Sequence, residues 1–427
     1  MKIKELSLTN FRRFEQLDLK LPDSNFIILI GENGCGKSSV LDAMGVGLRT
    51  IVERVSKEDR LGIYQAGSDI HVGEHLSTIK LKLDWEDNII EITNGRKLQD
   101  NYISSEGLKK IIGDKAELTP SKLPILVYYR LNRTHLYEET TPKEEINLST
   151  ERLIGYKHAF DKKVSSFQEF EEWFIIQENI ESKQKVATEK NDNFELNSLK
   201  VIRKVVEYFL EEMDAKTFTN LHENKGYDPN FPIFQGKLTI EKNGKKISVV
   251  KQLSSGEKMI LLLVCDIARR LLILNSMDEN CLEGEGVVLI DEIEMHLHPK
   301  WQRRIVPALR KVFPNIQFIA TTHSPQVLSN LSDNEIIVLD DNQYYSPATN
   351  PYGRDSNGIL EEIFGTPERP FEADKLVDEI FDILSNGQHD MEKAETKLTE
   401  LRGHLGAQDP ILLRIENLIN RKKILNP

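Results

Sequence analysis

The chain has 427 residues, enough for one large domain with insertions or for two domains, but too few for three full ones. Hydrophobic residues make up 39% of it and charged residues 29%, a composition typical of proteins that fold in water. Asp and Glu total 68 against 56 Lys and Arg, which gives a formal net charge of −12. This acidic balance argues against a surface that coats nucleic acid non-specifically, but it permits one local basic groove.

Cysteine usage and hydropathy indicate the cellular compartment of the protein. The three cysteines (Cys35, Cys265 and Cys281) form no CxxC pair, which argues against a zinc site or a disulfide framework and fits a reducing compartment. The first residues lack the apolar stretch of a signal peptide, and the longest apolar run, Met259 to Cys265, is much shorter than the ~18 residues that cross a membrane. We therefore expect a cytoplasmic protein with no membrane contact of its own.

Hydrophobic patterning predicts a strand-rich N-terminal part. Residues 1–30 alternate between polar and apolar positions, which predicts two strands around a turn at Arg12 and Arg13. The continuous apolar run 26–30 predicts a strand buried on both faces, and a glycine-rich segment and a helix over residues 37–52 follow it. Beyond these, the pattern predicts a hairpin over residues 79–92 and another buried strand over residues 123–129.

The composition changes over residues 140–225, which are rich in Glu, Lys, Gln and Asn and carry helical stripes of apolar residues. This predicts a helical insertion whose apolar heptads are too few for an extended coiled coil. A turn signal at 243–244 predicts a hairpin within residues 233–250. Two apolar strands, 286–290 and 317–321, with a helix between them predict a parallel sheet, and a small helical hairpin is expected to end the chain.

Residues 31–38 read Gly-Glu-Asn-Gly-Cys-Gly-Lys-Ser and fit the phosphate-binding pattern G-x-x-x-x-G-K-[ST]. Glycines allow the backbone to close around phosphates, whose charge is met by N–H groups and by the start of the following helix. In this pattern Lys37 reaches the β- and γ-phosphates and the Ser38 hydroxyl binds Mg²⁺. Because the segment lies between a predicted buried strand and a helix, we expect a nucleotide site rather than an incidental turn.

An acidic pair follows the predicted strand 286–290. A carboxylate at the end of a strand beside a phosphate-binding loop is placed to hold Mg²⁺, which is the role expected of Asp291. Glu292 would then lie beside the γ-phosphate, where it can orient or deprotonate a water molecule. The alternative interpretation is an acidic pair that only caps the strand.

Two other segments allow both a structural and a functional interpretation. Ser254 precedes a helix and has Glu257 three residues later, which is the pattern of a capping box. The functional alternative is an uncapped helix N-terminus, at which Ser254 and Gly256 receive a phosphate from another subunit. His323 follows the strand 317–321 and either hydrogen-bonds a γ-phosphate or is structural.

The order of these motifs resembles that of ABC-type ATPase heads. The segments 3–14, 291–299 and 321–325 are similar to those of RecF-, SMC- and OLD-type ATPases. Within these groups, the chain most resembles the PtuA ATPase subunits of Septu anti-phage systems. This resemblance covers most of the chain and is strongest in residues 1–50 and 250–330. It is carried there by Trp301-Gln302, Phe313 to Phe318, Gly353-Arg354-Asp355 and Arg369-Pro370.

The resemblance implies an α/β fold: an ABC-type ATPase head, with a P-loop parallel sheet and an N-terminal antiparallel β subdomain, plus a helical insertion and a C-terminal helical hairpin. It implies ATP and Mg²⁺ as cofactors, a head-to-tail homodimer or higher oligomer, and a separate PtuB-like HNH nuclease as partner. The expected segments are 1–139 and 226–350 for the two parts of the head, 140–225 for the insertion and 351–427 for the C-terminal helical region.

Roles carry over to the residues that match the family motifs. The nucleotide would be cradled by Gly31, Asn33, Gly34, Gly36, Lys37, Ser38 and Ser39, and approached by Arg12 and Arg13. The expected catalytic residues are Lys37, the general base Glu292 and the switch histidine His323, with Ser38 and Asp291 as ligands of Mg²⁺. Ser254 and Gly256 would contact ATP bound to the opposite protomer. The expected glutamine loop, residues 128–133, contains no Gln, so Arg130 and Asn132 are its candidates.

The cysteine spacing and the basic clusters limit the functions that are compatible with the sequence. Without a CxxC pair in the insertion, a zinc-hook repair ATPase is excluded, and we expect no nuclease site in this chain. Two basic clusters are either solvated surface or a patch that follows phosphates: Lys300, Arg303, Arg304, Arg310 and Lys311, and Lys242, Lys245, Lys246 and Lys251. Three interpretations stay open: an ATPase that regulates a nuclease in phage defence, a RecF-like repair ATPase acting directly on DNA, and a nucleotide sensor that hardly hydrolyses ATP.

Overall fold

The computed structural model describes residues 1–56, 66–97, 101–106, 108, 123–131, 152–160, 166–187, 194–215, 218–223, 238–275, 280–367, 369–385, 390–406 and 408–425. The chain forms two compact units, residues 1–353 and 354–427. Within the described ranges, no helix is both long and apolar enough to cross a membrane.

Fourteen strands are found in the described residues. They are β1 (Lys2–Phe11), β2 (Phe14–Lys20), β3 (Phe26–Ile30), β4 (Leu76–Trp85), β5 (Asn88–Lys97), β6 (Asn101–Glu106), β7 (Ile125–Tyr129), β8 (Phe218–Glu223), β9 (Leu238–Lys242), β10 (Lys245–Ser248), β11 (Gly286–Ile290), β12 (Ile316–Thr321), β13 (Ile336–Asp340) and β14 (Gln343–Tyr345).

The α-helices of the described chain alternate with these strands in the first unit and make up the second. They are α1 (Lys37–Ser56), α2 (Ser166–Ala187), α3 (Asn197–Glu212), α4 (Val249–Gln252), α5 (Ser255–Leu274), α6 (Pro299–Gln302), α7 (Ile305–Val312), α8 (Pro325–Leu328), α9 (Ser356–Glu362), α10 (Phe371–Ser385), α11 (Met391–His404) and α12 (Pro410–Leu425).

A six-stranded sheet in the order β14-β13-β3-β12-β11-β7 forms the centre of the first unit. Its five strands from β13 to β7 pair in parallel, and only β14 is antiparallel. Every residue of β3, β7, β11 and β12 is buried, which confirms the strands predicted from continuous apolar runs. Strands β13 and β14 extend this sheet beyond 317–321, the last strand predicted above.

A second sheet is antiparallel, in the order β2-β1-β4-β5-β6. Its first two strands turn at Arg12-Arg13 and its β4–β5 hairpin turns at residues 86–87, as the alternating pattern predicted. The fully buried side chain of Gln317 ties the two sheets together. Its amide oxygen accepts the N–H of Ile3 at 2.7 Å, and its amide nitrogen donates to the Ile3 carbonyl at 3.2 Å.

The insertion is not purely helical. Helices α2 and α3 fall within the predicted range, but β8 also lies there and joins a three-stranded sheet in the order β10-β9-β8. A local pattern cannot predict this strand, because its partner β9 lies beyond the predicted end of the insertion. The predicted turn at Asn243-Gly244 is confirmed by positive φ angles of 52° and 71°. Residues 132–151 and 233–237 lie outside the described part of the chain.

Helix α5 is apolar almost all round, yet it carries a buried charge cluster. The carboxylate of Asp266 accepts hydrogen bonds from Arg269 at 2.7 Å, from Arg270 at 2.8 Å and from the Tyr129 hydroxyl at 2.8 Å. Burial by itself raises the pKa of Asp266, but the charges of Arg270 and Arg269 outweigh it and hold the pKa below its ordinary value. Arg270 also donates to the carbonyl of Gly155, so the cluster joins α5, β7 and the 152–156 turn.

The second unit has its own apolar core. Three helices, α10, α11 and α12, pack around it, one more than the predicted hairpin contains. The core residues are Ala373, Leu376, Val377, Ile380, Leu384, Ala394, Leu398, Leu401, Leu412, Ile415 and Ile419.

Asp266→Asn tests the buried cluster. The substitution leaves the guanidinium of Arg270 buried without its counter-charge, so we expect the free energy of unfolding to fall by about 3 to 5 kcal/mol. Urea denaturation followed by tryptophan fluorescence measures this loss.

Asp23→Asn is the matched control, since Asp23 pairs with Lys2 and Lys4 at an exposed position. It should cost less than about 1 kcal/mol. Equal losses for the two variants would contradict the buried-cluster interpretation.

Candidate functional site

One open cleft of about 360 Å³ lies where β3, β11 and β12 end. Parallel strands present their carboxyl ends at the same edge of a sheet, so residues far apart in sequence meet there. Most of the predicted site residues line it. The lining consists of Arg12, Arg13, Asn33, Gly34, Gly36, Lys37, Ser38, Ser39, Asp291, Glu292, Thr321 and His323.

The glycine-rich loop between β3 and α1 has a conformation that only glycine adopts readily. Gly31, Gly34 and Gly36 have φ angles of 144°, 83° and 105°. A Cβ at Gly31 would lie 2.3 Å from the Leu339 carbonyl oxygen, and one at Gly36 would lie 2.3 Å from the ring of Phe14. The loop therefore closes tightly against its neighbours and directs its backbone toward the cleft.

The Lys37 ammonium lies inside this loop. It donates to the carbonyl oxygens of Gly31 at 2.8 Å and Glu32 at 2.9 Å, and the residue is only 7% exposed. This places a fixed positive charge at the position where the motif receives phosphate groups.

Three oxygen-bearing side chains meet at the end of β11. Asp291 Oδ1 lies 3.2 Å from Ser38 Oγ and 2.7 Å from Thr321 Oγ1. Carboxylate and hydroxyl oxygens are the ligands that Mg²⁺ prefers, so the pair predicted to hold the metal has the right chemistry and is close together. Thr321 was not predicted as a site residue. It lies at the end of a buried strand and opens the segment 321–325 that carries part of the resemblance, but from that segment only His323 was assigned a role.

The backbone of Glu292 is left-handed, with φ at 46°. This conformation is uncommon for a residue with a side chain, and here the N–H of Glu292 donates to Thr321 Oγ1 at 2.7 Å. The same threonine thus bonds both the Asp291 carboxylate and the backbone of the turn that carries Glu292. The side chain of Glu292 is half-buried and lines the cleft, as expected for a base that meets water there.

His323 has an exposed side chain that lines the cleft. Its backbone N–H donates to Glu294 Oε1 at 2.6 Å. The other oxygen of Glu294 accepts the Thr322 hydroxyl at 2.7 Å. The sequence analysis missed Glu294, because a single acidic residue in a turn carries no spacing signal.

Two arginines reach the cleft from the β1–β2 turn. Arg12 bonds to Asp42 at 2.7 Å and to Asp69 at 2.8 Å, and Arg13 pairs with Asp341. Arg130 follows β7 and also pairs with Asp42.

Burial and the charge of Arg12 lower the pKa of Arg130 to about 10, so Arg130 stays cationic at neutral pH. Asn132, the other candidate for the glutamine loop, lies outside the described residues.

Ser254 and Gly256 are not among the described residues that line the cleft. The predicted capping box is present: Ser254 Oγ accepts the N–H of Glu257 at 3.3 Å, and the Glu257 carboxylate accepts the N–H of Ser254 at 2.8 Å. The expectation of an uncapped helix N-terminus is therefore wrong. Ser254 is exposed nonetheless, so its contact with a second protomer stays a prediction.

Most of the basic cluster that follows Glu292 is paired within the chain. Asp214 pairs with Lys300 at 2.5 Å, and Glu212 and Glu335 pair with Lys311 and Arg310 at 2.5 Å each. In the second cluster, Lys242 pairs with Glu257 at 2.5 Å. These partners favour the surface interpretation over a patch that follows phosphates, because the basic charge is already met.

Comparison with known proteins agrees with this geometry. Residues 1–328 match the AAA ATPase domain family. The chain is 28% identical to the retron Ec83 probable ATPase of Escherichia coli, over 99% of this chain and 87% of that protein. It is 30% identical to the retron Vc95 probable ATPase of Vibrio cholerae serotype O1 biovar El Tor, over 92% and 86%.

A further relative is the Septu protein PtuA of Bacillus mycoides strain KBAB4, which is 27% identical over 92% of this chain and 49% of that protein. The chain therefore spans about half the length of this relative. With a P-loop, an Asp-Glu pair and a histidine gathered in one cleft, and with similarity to retron and Septu PtuA ATPases, the chain belongs to the AAA ATPase domain family.

Proposed function

We propose that this ATPase senses and regulates a separate HNH-type nuclease in anti-phage defence, through ATP-dependent head-to-tail dimerisation. The dimer is inferred from the positions of the motifs, which are divided between the cleft and the surface outside it. Lys37, Asp291 and Glu292 share the cleft, whereas Ser254 lies exposed outside it. The likeness to Septu PtuA supports the defence role and the nuclease partner.

Within one protomer, different residues of the cleft bind the phosphates of ATP, hold Mg²⁺ and activate water. The ammonium of Lys37 and the loop N–H groups bind the phosphates, and Ser38 and Asp291 would hold Mg²⁺, which neutralises phosphate charge when bound. Glu292 orients the attacking water and accepts its proton. His323, whose side chain also lines the cleft, hydrogen-bonds the γ-phosphate.

The second protomer would complete the site with its Ser254 and Gly256. A hydroxyl and an N–H at the start of a helix stabilise the charge of a phosphate, so the closed dimer binds ATP better than the monomer does. ATP then favours the dimer by mass action, and hydrolysis reopens it. The insertion and the C-terminal helices would transmit this state to the nuclease.

The match to two retron ATPases favours a second candidate, the ATPase of a retron. The chemistry at the cleft is the same in both candidates. They differ in what assembles with the ATPase, which the partner experiment below measures.

Glu292→Gln tests the general base. The amide keeps the shape of the side chain but accepts no proton, so we expect ATP turnover to fall by about 100-fold or more while ATP binding and the dimer persist. Steady-state phosphate release measures the turnover, and light scattering after size exclusion measures the dimer. Turnover like that of the wild type would reject this role for Glu292.

Lys37→Ala is the companion variant, because it removes the charge that binds phosphate. It should lose nucleotide binding itself, whereas Glu292→Gln retains it. Tight ATP binding by Lys37→Ala would overturn the assignment of the phosphate loop.

Ser254→Arg tests the shared site. The bulky cation at the exposed helix start blocks the second protomer, so we expect monomeric ATP binding to be unchanged and turnover to fall about 100-fold. Ser332→Arg is the matched control, since Ser332 forms a capping box of its own and does not line the cleft. Normal turnover by Ser254→Arg would show that the site is complete within one protomer.

Purification from the native operon tests the partner. We expect a stoichiometric HNH-type protein to co-elute and to be identified by mass spectrometry. A chain that elutes alone and binds DNA as salt is lowered would instead support the RecF-like interpretation. Co-elution with nucleic acid of a retron, identified by sequencing, would support the second candidate.

A further inference from the structure

Glu294 lies two residues beyond the proposed general base, in the turn that leaves β11. Its carboxylate binds two consecutive residues of another segment: Oε2 accepts the Thr322 hydroxyl at 2.7 Å, and Oε1 accepts the backbone N–H of His323 at 2.6 Å. Both are charge-assisted hydrogen bonds, which are stronger than bonds between neutral groups. One half-buried side chain therefore fixes the backbone that carries the histidine of the cleft.

The residues on both sides of His323 are fixed as well. Thr322 is fully buried, and its hydroxyl oxygen accepts the N–H of Ser324 at 3.1 Å. Ser324 is buried and is the N-cap of α8. The bond from Glu294 is the one that acts on the peptide N–H of His323 itself, from which the exposed side chain reaches the cleft.

The turn of residues 291–298 also contacts helix α5. A Cβ added at Gly256 would lie 2.4 Å from the carbonyl oxygen of His296, so the start of α5 packs directly on this turn. The N–H of Ile293 donates to the Thr321 carbonyl at 3.0 Å, which joins the turn to the end of β12. One turn thus touches the histidine segment and the helix expected to face a second protomer.

We propose that Glu294 is a positioning residue for ATP hydrolysis, which holds His323 in register with Glu292 without touching the nucleotide. This inference rests on the proposed roles of His323 and Glu292. Its physical basis is that hydrolysis depends on small displacements of the groups around the γ-phosphate, whereas binding depends mainly on the phosphate loop.

The test compares Glu294→Ala and Glu294→Gln with the wild type. Alanine removes both hydrogen bonds, so kcat should fall by about 10- to 100-fold while the Kd for a fluorescent ATP analogue changes less than about twofold. Glutamine can accept the N–H of His323 with its amide oxygen and donate its N–H to Thr322, so it should restore most of kcat. Loss of ATP binding by Glu294→Ala in parallel with kcat would overturn the proposal.

A double-mutant cycle separates positioning from general destabilisation. In a His323→Ala background, Glu294→Ala should lower kcat no further, because the group it positions is gone. Additive losses would mean that Glu294 acts through something other than His323.

Glu335→Ala is the matched control. Glu335 is also a half-buried carboxylate, and it accepts the Ser332 N–H at 3.0 Å and the Ser24 hydroxyl at 2.8 Å before β3 and β13 begin. It should lower the melting temperature but leave kcat unchanged. An equal fall in kcat for Glu335→Ala would reject the positioning role.

Wild-type turnover and Lys37→Ala are measured in the same series. If the wild type releases no phosphate above the Lys37→Ala background, the proposed hydrolytic function fails. If the wild type releases phosphate above that background and Glu294→Ala has the same kcat, only the positioning role fails.

Discussion

The cleft depends on the parallel pairing of β3, β12 and β11. This pairing brings the phosphate loop, the end of β12 and the acidic turn to one edge of the sheet. The hydroxyl of Thr321 joins the end of β12 to the acidic turn: it donates to Asp291 and accepts the N–H of Glu292. The carboxylate proposed to hold Mg²⁺ and the residue proposed as general base are thus both bonded to one threonine.

A second connection runs away from the cleft through Tyr129. Its carbonyl accepts the N–H of Asp291 at 2.9 Å, and its hydroxyl donates to the buried carboxylate of Asp266. Asp266 in turn binds Arg270 of the same helix, which reaches the 152–156 turn. Because a buried charge cannot leave its partners without a large desolvation cost, this cluster holds α5 rigidly against β7. The helix that starts at Ser254 is thus fixed to the strand beside the acidic turn.

The distribution of charge also bears on function. The basic residues after the acidic turn pair with acidic residues at the end of α3 and before β13, such as Glu212 with Lys311 and Glu335 with Arg310. The Glu212–Lys311 pair joins the insertion to helix α7, and both pairs reduce the positive potential of this face. Together with the net charge of −12, they argue against a broad basic surface that binds nucleic acid non-specifically on this face.

The sequence alone determined the local chemistry of the ATPase. The phosphate loop, the buried strands and the Asp-Glu pair are continuous in sequence, and each has a physical signature in spacing or hydropathy: Gly31 to Ser38 and Gly286 to Glu292 are examples. The tertiary structure alone decided which residues support them. Thr321, Glu294 and the strand β8 act through partners that are distant in sequence, and no local pattern encodes a distant partner. Likewise, the capping box at Ser254 was predicted from the local sequence. That Ser254 does not line the cleft is seen only in the folded chain, because packing determines which surfaces face each other.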